Sequence, residues 1–143
     1  MLAAVRKEAS VKWLLILAVA AVVLALAATA SAHRFVSSPS LSIHKQPTGT
    51  TSPGKKVIVF GKVRSSRSIC REDRVVRLFR VRPGPNRLLA TFVTNFFGDY
   101  RFARHPRRTM KVYTRIARLH KVSFGHDHLC RAARSRNLRI KVR

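Results

Sequence analysis

Carboxylates are what this 143-residue chain most conspicuously lacks: five Asp and Glu stand against 30 Lys and Arg, a formal net charge of +25. Past residue 32 only Glu72, Asp73, Asp99 and Asp127 remain, so chemistry that needs paired acids has little to draw on. No Ser-His-Asp or Cys-His spacing presents itself, so no catalytic residue is assigned and the chain reads as a non-enzyme without a cofactor. Cysteine is almost as scarce, with Cys70 and Cys130 alone. No twin arginine precedes the long apolar run near the start and no cysteine follows it, so neither Tat export nor a lipoprotein anchor is indicated. Past residue 32 there is no convincing helical periodicity either.

That apolar run is the first thing the chain does have. Arg6, Lys7 and Lys12 form a basic head, residues 13–28 are unbroken apolar sequence, and Ala30, Ser31 and Ala32 make a small-residue cleavage pattern. This is the form of a Sec-type signal peptide over residues 1–32, with a hydrophobic signal helix and His33 as the mature start. The run also approaches the roughly 20 residues that span a bilayer, so retention as a membrane anchor through residues 13–30 stays open. Either way the rest of the chain is expected outside the cytoplasmic membrane, secreted or anchored. In that compartment two cysteines imply one disulfide, Cys70 to Cys130. Cleavage leaves 111 residues with 27 bases and four acids, a net charge of +23.

Residues 33–54 are rich in Ser, Thr and Pro and read as a flexible linker, with a short strand at residues 41–44. Residues 55–143 read as one β domain, and the chain past residue 32 offers six or seven short strands in all. Alternation places Val57, Val59 and Val63 on one face of a strand over residues 55–63, and Val76 and Leu78 on one face of residues 75–81. Residues 88–102 read as a hairpin, in which Asn95 to Gly98 form the loop between two alternating runs. Val112, Thr114 and Ile116 share a face of a strand over residues 110–119, and Leu138, Ile140 and Val142 alternate at the end. Residues 65–73 and 120–135 read as polar loops. Strands at this spacing suggest an all-β antiparallel sandwich.

The succession Val59-Phe60-Gly61-Lys62-Val63, Val76-Arg77-Leu78, the turn from Thr94 to Phe102, and Val112-Tyr113-Thr114-Arg115-Ile116 resembles the carboxypeptidase-regulatory-like, or transthyretin-like, branch of immunoglobulin-like domains in bacterial secreted and surface proteins. The turn residues Thr94, Asn95, Gly98 and Tyr100 match that family's Thr-Asp-x-x-Gly-x-Tyr-x-Phe pattern, with Asn95 in place of the Asp. The resemblance implies an immunoglobulin-like sandwich and an extracytoplasmic setting. Some relatives form an isopeptide bond with a catalytic Glu, but Glu72 stands in a polar loop and no such bond is expected.

Three functional readings compete. His126 and His128, with His120 upstream, have spacing that suits Zn or Cu. They are weak candidates, because Cys130 is claimed by the disulfide and no metal is assigned. Phe92, Phe96, Phe97 and Tyr100 lie among arginines as a nucleic-acid stacking platform could. Export argues against a specific nucleic-acid partner, and Phe96 and Phe97 are expected to tuck under the sandwich. The reading that remains is a structural or interaction module, held electrostatically by anionic cell-envelope polymers or surface proteins.

Overall fold

The computed structural model describes residues 33–123 and 125–143. Residues 1–32, where a signal peptide or membrane anchor is expected, lie outside the described residues. Among the described residues the chain is all-β, with one 3-10 turn, Ser68–Cys70, as its sole helical element. Twelve strands follow in order: β1 (Arg34–Ser37), β2 (Ser40–Leu41), β3 (His44–Gln46), β4 (Val57–Arg64), β5 (Val75–Arg80), β6 (Arg87–Val93), β7 (Asp99–Arg104), β8 (Met110–Ile116), β9 (Leu119–Ser123), β10 (His126–Cys130), β11 (Ala133–Arg134) and β12 (Leu138–Ile140).

They form three sheets. In the first, β6, β5 and β8 lie side by side and the far edge of β8 receives both β11 and β12. In the second, β4 pairs β7 along one edge and β2 and β3 along the other. All of these pairings are antiparallel. The third sheet has the order β1-β10-β9, with β1 parallel to β10.

The buried sides of the first two sheets meet in one apolar cluster. Val57, Val59 and Val63 of β4, Tyr100 and Phe102 of β7, and Ile43 face Val76 and Leu78 of β5, Val112 and Ile116 of β8, and Ile140 of β12. Apart from Ile43, these are side chains of strands that alternation marks out in the sequence. Each contributes about 1.5–3 kcal/mol by leaving water, less the entropy of ordering it. Within the cluster the Tyr100 hydroxyl donates to the Ser42 carbonyl and bonds Thr114 Oγ1 at 2.8 Å. Gly61 makes room for this arrangement, because a Cβ there would sit 2.1 Å from the Ser42 carbonyl oxygen.

Four expectations need correction. Residues 33–54 are not a free linker: they carry β1, β2 and β3, and Ile43 is fully buried. Their polar composition masked the one thing a strand pair requires, an open neighbouring edge, which β4 supplies to Leu41 and to His44 through Gln46. Thr51 is tied further along, donating to the Lys141 carbonyl at 3.0 Å and accepting from the Arg143 N–H.

Residues 120–135 are not a loop but hold most of β9, all of β10, and β11. His120, Lys121 and Val122 of β9 are exposed and His126, Asp127 and His128 of β10 are half-buried, so no alternation marks these strands in the sequence, although Leu129 and Cys130 are buried. The strand expected over residues 110–119 accordingly ends at Ile116, and twelve short strands stand where six or seven were expected.

Residues 88–102 do form two strands and a turn, but not a hairpin. β6 pairs β5 and β7 pairs β4, so the turn carries the chain from one sheet to the other. Phe92 and Phe102 meet edge-to-face, ring centroids 6.1 Å apart, across the interior instead of pairing side by side.

Finally, Phe96 and Phe97 do not tuck under the sheets. They are 55% and 63% exposed, packed on each other at the tip of that turn. Asn95 Oδ1 accepts the N–H groups of Phe97 and Asp99 at 3.0 and 2.9 Å, which fixes the backbone and directs both rings to solvent.

Candidate anion-binding face

The outward side of the β6-β5-β8-β11 sheet follows from alternation. Arg77 lies between the buried Val76 and Leu78, and Arg115 between the buried Thr114 and Ile116, so both project away from the core. The register sets Arg77 opposite Arg115, and Arg115 opposite Arg134 on β11. Three exposed arginines thus stand abreast on adjacent strands, roughly 4.8 Å from one strand to the next. Two residues along, Phe79 and Tyr113 are also opposite each other, stacked with ring centroids 5.3 Å apart and planes 14° apart. Leu88 is the β6 partner of Phe79 and is 48% exposed. The Arg134 guanidinium lies over the Tyr113 ring at 4.0 Å and donates to Asn137 Oδ1 at 3.0 Å. Tyr113, Arg115, Ala132, Ala133 and Arg134 line an open hollow of about 370 Å³.

No carboxylate reaches this face among the described residues. Asp127 pairs with Arg34 at 3.4 Å and bonds His120, and Asp99 pairs with Lys62 at 3.2 Å. Glu72 and Asp73 belong to the loop before β5. Like charges placed directly opposite in a sheet cost about 0.2–1 kcal/mol per pair, and the Arg77–Arg115–Arg134 row contains two such pairs. An anion laid on the row removes that repulsion and accepts hydrogen bonds from forked donors suited to phosphate or carboxylate.

Arg74 shows the contrast between a cation placed for the fold and one left for a ligand. It is 4% exposed, and burial lowers its pKa from the ordinary value. Its guanidinium donates to the carbonyls of Cys70 at 3.2 Å and Ala117 at 2.5 Å, which joins the 3-10 turn to the end of β8. Its donors are spent on backbone, whereas those of Arg77 and Arg115 face solvent.

The residues singled out from sequence are distributed as follows. Cys70 and Cys130 are joined, with Cα atoms 5.4 Å apart, and both are buried. This disulfide is consistent with an extracytoplasmic location. His126 and His128 lie on one side of β10, but Phe35 sits against both, each ring centroid 5.4 Å from its own. His120 bonds Asp127, whose position between them on β10 turns it to the opposite side. Among the described residues no three His, Cys, Asp or Glu side chains gather as a metal site would require. Of the aromatics considered for stacking, Phe92 packs against the core and Tyr100 is 2% exposed, leaving only Phe96 and Phe97 open.

Thr94, Asn95, Gly98 and Tyr100 do act together. Thr94 Oγ1 accepts the Arg74 N–H at 2.8 Å and donates to the Arg71 carbonyl at 2.6 Å. Gly98 has φ +80 and donates to the Asn95 carbonyl at 2.9 Å. These residues build the turn.

The Arg77–Arg115–Arg134 row is absent from the sequence reading. Outward placement of Arg77 and Arg115 follows from alternation alone, but their alignment depends on register between distant strands. No protein-family model matches the chain, and no curated protein matches it either.

Proposed function

We propose that this protein is an exported, non-catalytic module of immunoglobulin-like, transthyretin-like sandwich architecture, whose β5-β8-β11 face binds anionic polymers of the cell envelope. The observation that carries the reading is the row Arg77, Arg115, Arg134, three exposed arginines in register on adjacent strands, the third with its guanidinium over Tyr113, and no side-chain carboxylate paired with any of them among the described residues. The sandwich reading is supported by two antiparallel sheets that bury their inner faces in a common cluster. Export is supported by the basic head, apolar run and small-residue site of residues 1–32, and by the disulfide.

The mechanism is electrostatic capture followed by local pairing. A net charge of +23 draws polyanions from a distance, and the arginine row gives the encounter a place to end. Both parts weaken with salt, since charges are screened beyond about 10 Å at 0.1 M and about 3 Å at 1 M. The test is an envelope-fraction wash at rising NaCl, comparing the native chain with the Arg77→Gln/Arg115→Gln double variant. The variant should elute at lower salt with a melting temperature no lower than that of the native chain, since it also loses two like-charge pairs. Coincident elution, or native protein that no salt concentration frees, would overturn the reading.

A further inference from the structure

Two parallel tracks cross the outer face of the first sheet at right angles to its strands. One is cationic, Arg77–Arg115–Arg134, and the other is apolar, Leu88–Phe79–Tyr113. They lie two residues apart along the strands, which is roughly 7 Å. Arg134 joins them, since it is Arg115's strand partner while its guanidinium covers Tyr113.

We infer that this face is a binding site for an acidic polysaccharide, a chain of sugars bearing a carboxylate on each ring, laid across the strands. The inference rests on the anionic-polymer reading and narrows it. Adjacent strands are about 4.8 Å apart, so Arg77 and Arg115 set two charges at about that interval, and the Arg134 guanidinium adds a third, displaced toward Tyr113. A 1,4-linked pyranose advances its chain by nearly the same length, so successive uronate rings reach successive arginines, whose long side chains absorb differences in the direction each carboxylate takes. The guanidinium fork pairs with a carboxylate through two parallel hydrogen bonds.

The second track decides between classes of polyanion. A phosphate chain has no apolar surface, and would leave Leu88 and the ring edges of Phe79 wet. A sugar ring has C–H faces beside its acid group and covers them. Leu88 is 48% exposed and Phe79 is partly exposed, while Tyr113 is 6% exposed beneath Arg134, so the part of this track open to a ligand is Leu88 and Phe79. The hollow beside β11 receives the end of the chain against Arg115 and Arg134.

Calorimetric titration of the mature chain at about 0.15 M salt, near the physiological Debye length of about 8 Å, separates the outcomes. The probes are trigalacturonate, galacturonate and inorganic tripolyphosphate. Trigalacturonate should bind more tightly than the single sugar acid, and at least as tightly as tripolyphosphate despite its fewer charges. Arg115→Gln should weaken trigalacturonate about tenfold, the loss of one charge-assisted contact. Leu88→Ser should weaken trigalacturonate several-fold and leave tripolyphosphate unchanged. Both side chains are exposed, and melting temperatures no lower than that of the native chain would show that the variants fold.

Tripolyphosphate binding more tightly, together with Leu88→Ser indifferent to either probe, would overturn the polysaccharide inference while the anionic-face reading stood. Failure of both oligomers to bind, or binding that Arg115→Gln does not alter, would sink the anionic-face reading itself.

Discussion

The turn between β6 and β7 and the small sheet β1-β10-β9 are both attached to the rim of the same core, and they are held by opposite means. The turn is fixed by neighbours in sequence: Asn95 collects the N–H groups of Phe97 and Asp99, and Gly98 takes the positive φ that closes the bend. The small sheet is fixed by partners far away. The Cys70–Cys130 disulfide spans 60 residues, the Arg131 N–H donates to the Ser37 carbonyl at 2.9 Å, and Ser37 Oγ bonds Ser65 Oγ at 2.8 Å. Above it Arg67 lies 4.2 Å over Phe35, which in turn packs on His126 and His128. Local attachment should survive reduction of the chain, whereas remote attachment should not.

The largest expected effect tests this directly. Closing a loop of about 60 residues lowers the entropy of the unfolded chain by an amount worth roughly 4 kcal/mol. Cys70→Ser/Cys130→Ser should lose most of that in urea denaturation. Hydrogen exchange should show faster opening of β1 and β10, with the β6–β7 turn still protected. A variant of native stability, or one whose turn opens as early as β10, would break the comparison.

Next comes Gly98→Ala. A Cβ at this position would stand 2.3 Å from the Val63 carbonyl oxygen, on a residue at φ +80. Its N–H and carbonyl are both committed, to the Asn95 carbonyl and the Val63 N–H. Strain at the backbone and displacement of β4 together should cost about 2–3 kcal/mol. An alanine tolerated within 0.5 kcal/mol would mean that the turn does not depend on its local geometry.

Thr94→Val keeps the shape of a side chain that is 2% exposed and removes its hydroxyl. The Arg74 N–H then loses its acceptor at 2.8 Å, and the Arg71 carbonyl loses its donor at 2.6 Å. Leaving such groups buried without partners should cost about 1–3 kcal/mol, read as a shift of the denaturation midpoint at constant slope. A neutral outcome would remove Thr94 from the set of residues that lock the turn to β5.

The same division explains what the sequence made legible. Alternation alone separates Val57, Val59 and Val63 from Phe60, and Val76 and Leu78 from Arg77, because side-chain direction is a property of one strand. The bend at Asn95 and Gly98 is legible for the same reason, since its bonds close over four residues. Pairing is not local. Nothing in residues 88–102 says that β6 and β7 take different partners, because a turn into a hairpin and a turn between sheets draw on the same residues. The short strands at Ser40–Leu41 and His44–Gln46 exist because β4 has a free edge, which is a fact about β4. The arginine row is hidden twice over, as it needs both the β5–β8 and the β8–β11 registers.

Tyr100 provides the smallest effect and links the two kinds of attachment. It follows the locally fixed turn, yet its hydroxyl holds Ser42 in the remote N-terminal segment and Thr114 in the facing sheet. Burial pushes its pKa up to about 12, with the Thr114 bond acting in the opposite direction. The unfolded phenol titrates near 10, so the folded value is the higher one. The stability this represents is complete below pH 10 and is lost as pH rises through about 12. At pH 11 the loss should be roughly 1 kcal/mol, from an unfolded chain already ionised while the native phenol keeps its proton. Tyr100→Phe has no proton to lose, so its stability should be lower at neutral pH and flatter between pH 9 and pH 11. Measuring both chains side by side cancels alkaline damage to the disulfide, which they share. Parallel pH curves would show that the phenol is not the group that titrates, and that the contact with Ser42 contributes through packing alone.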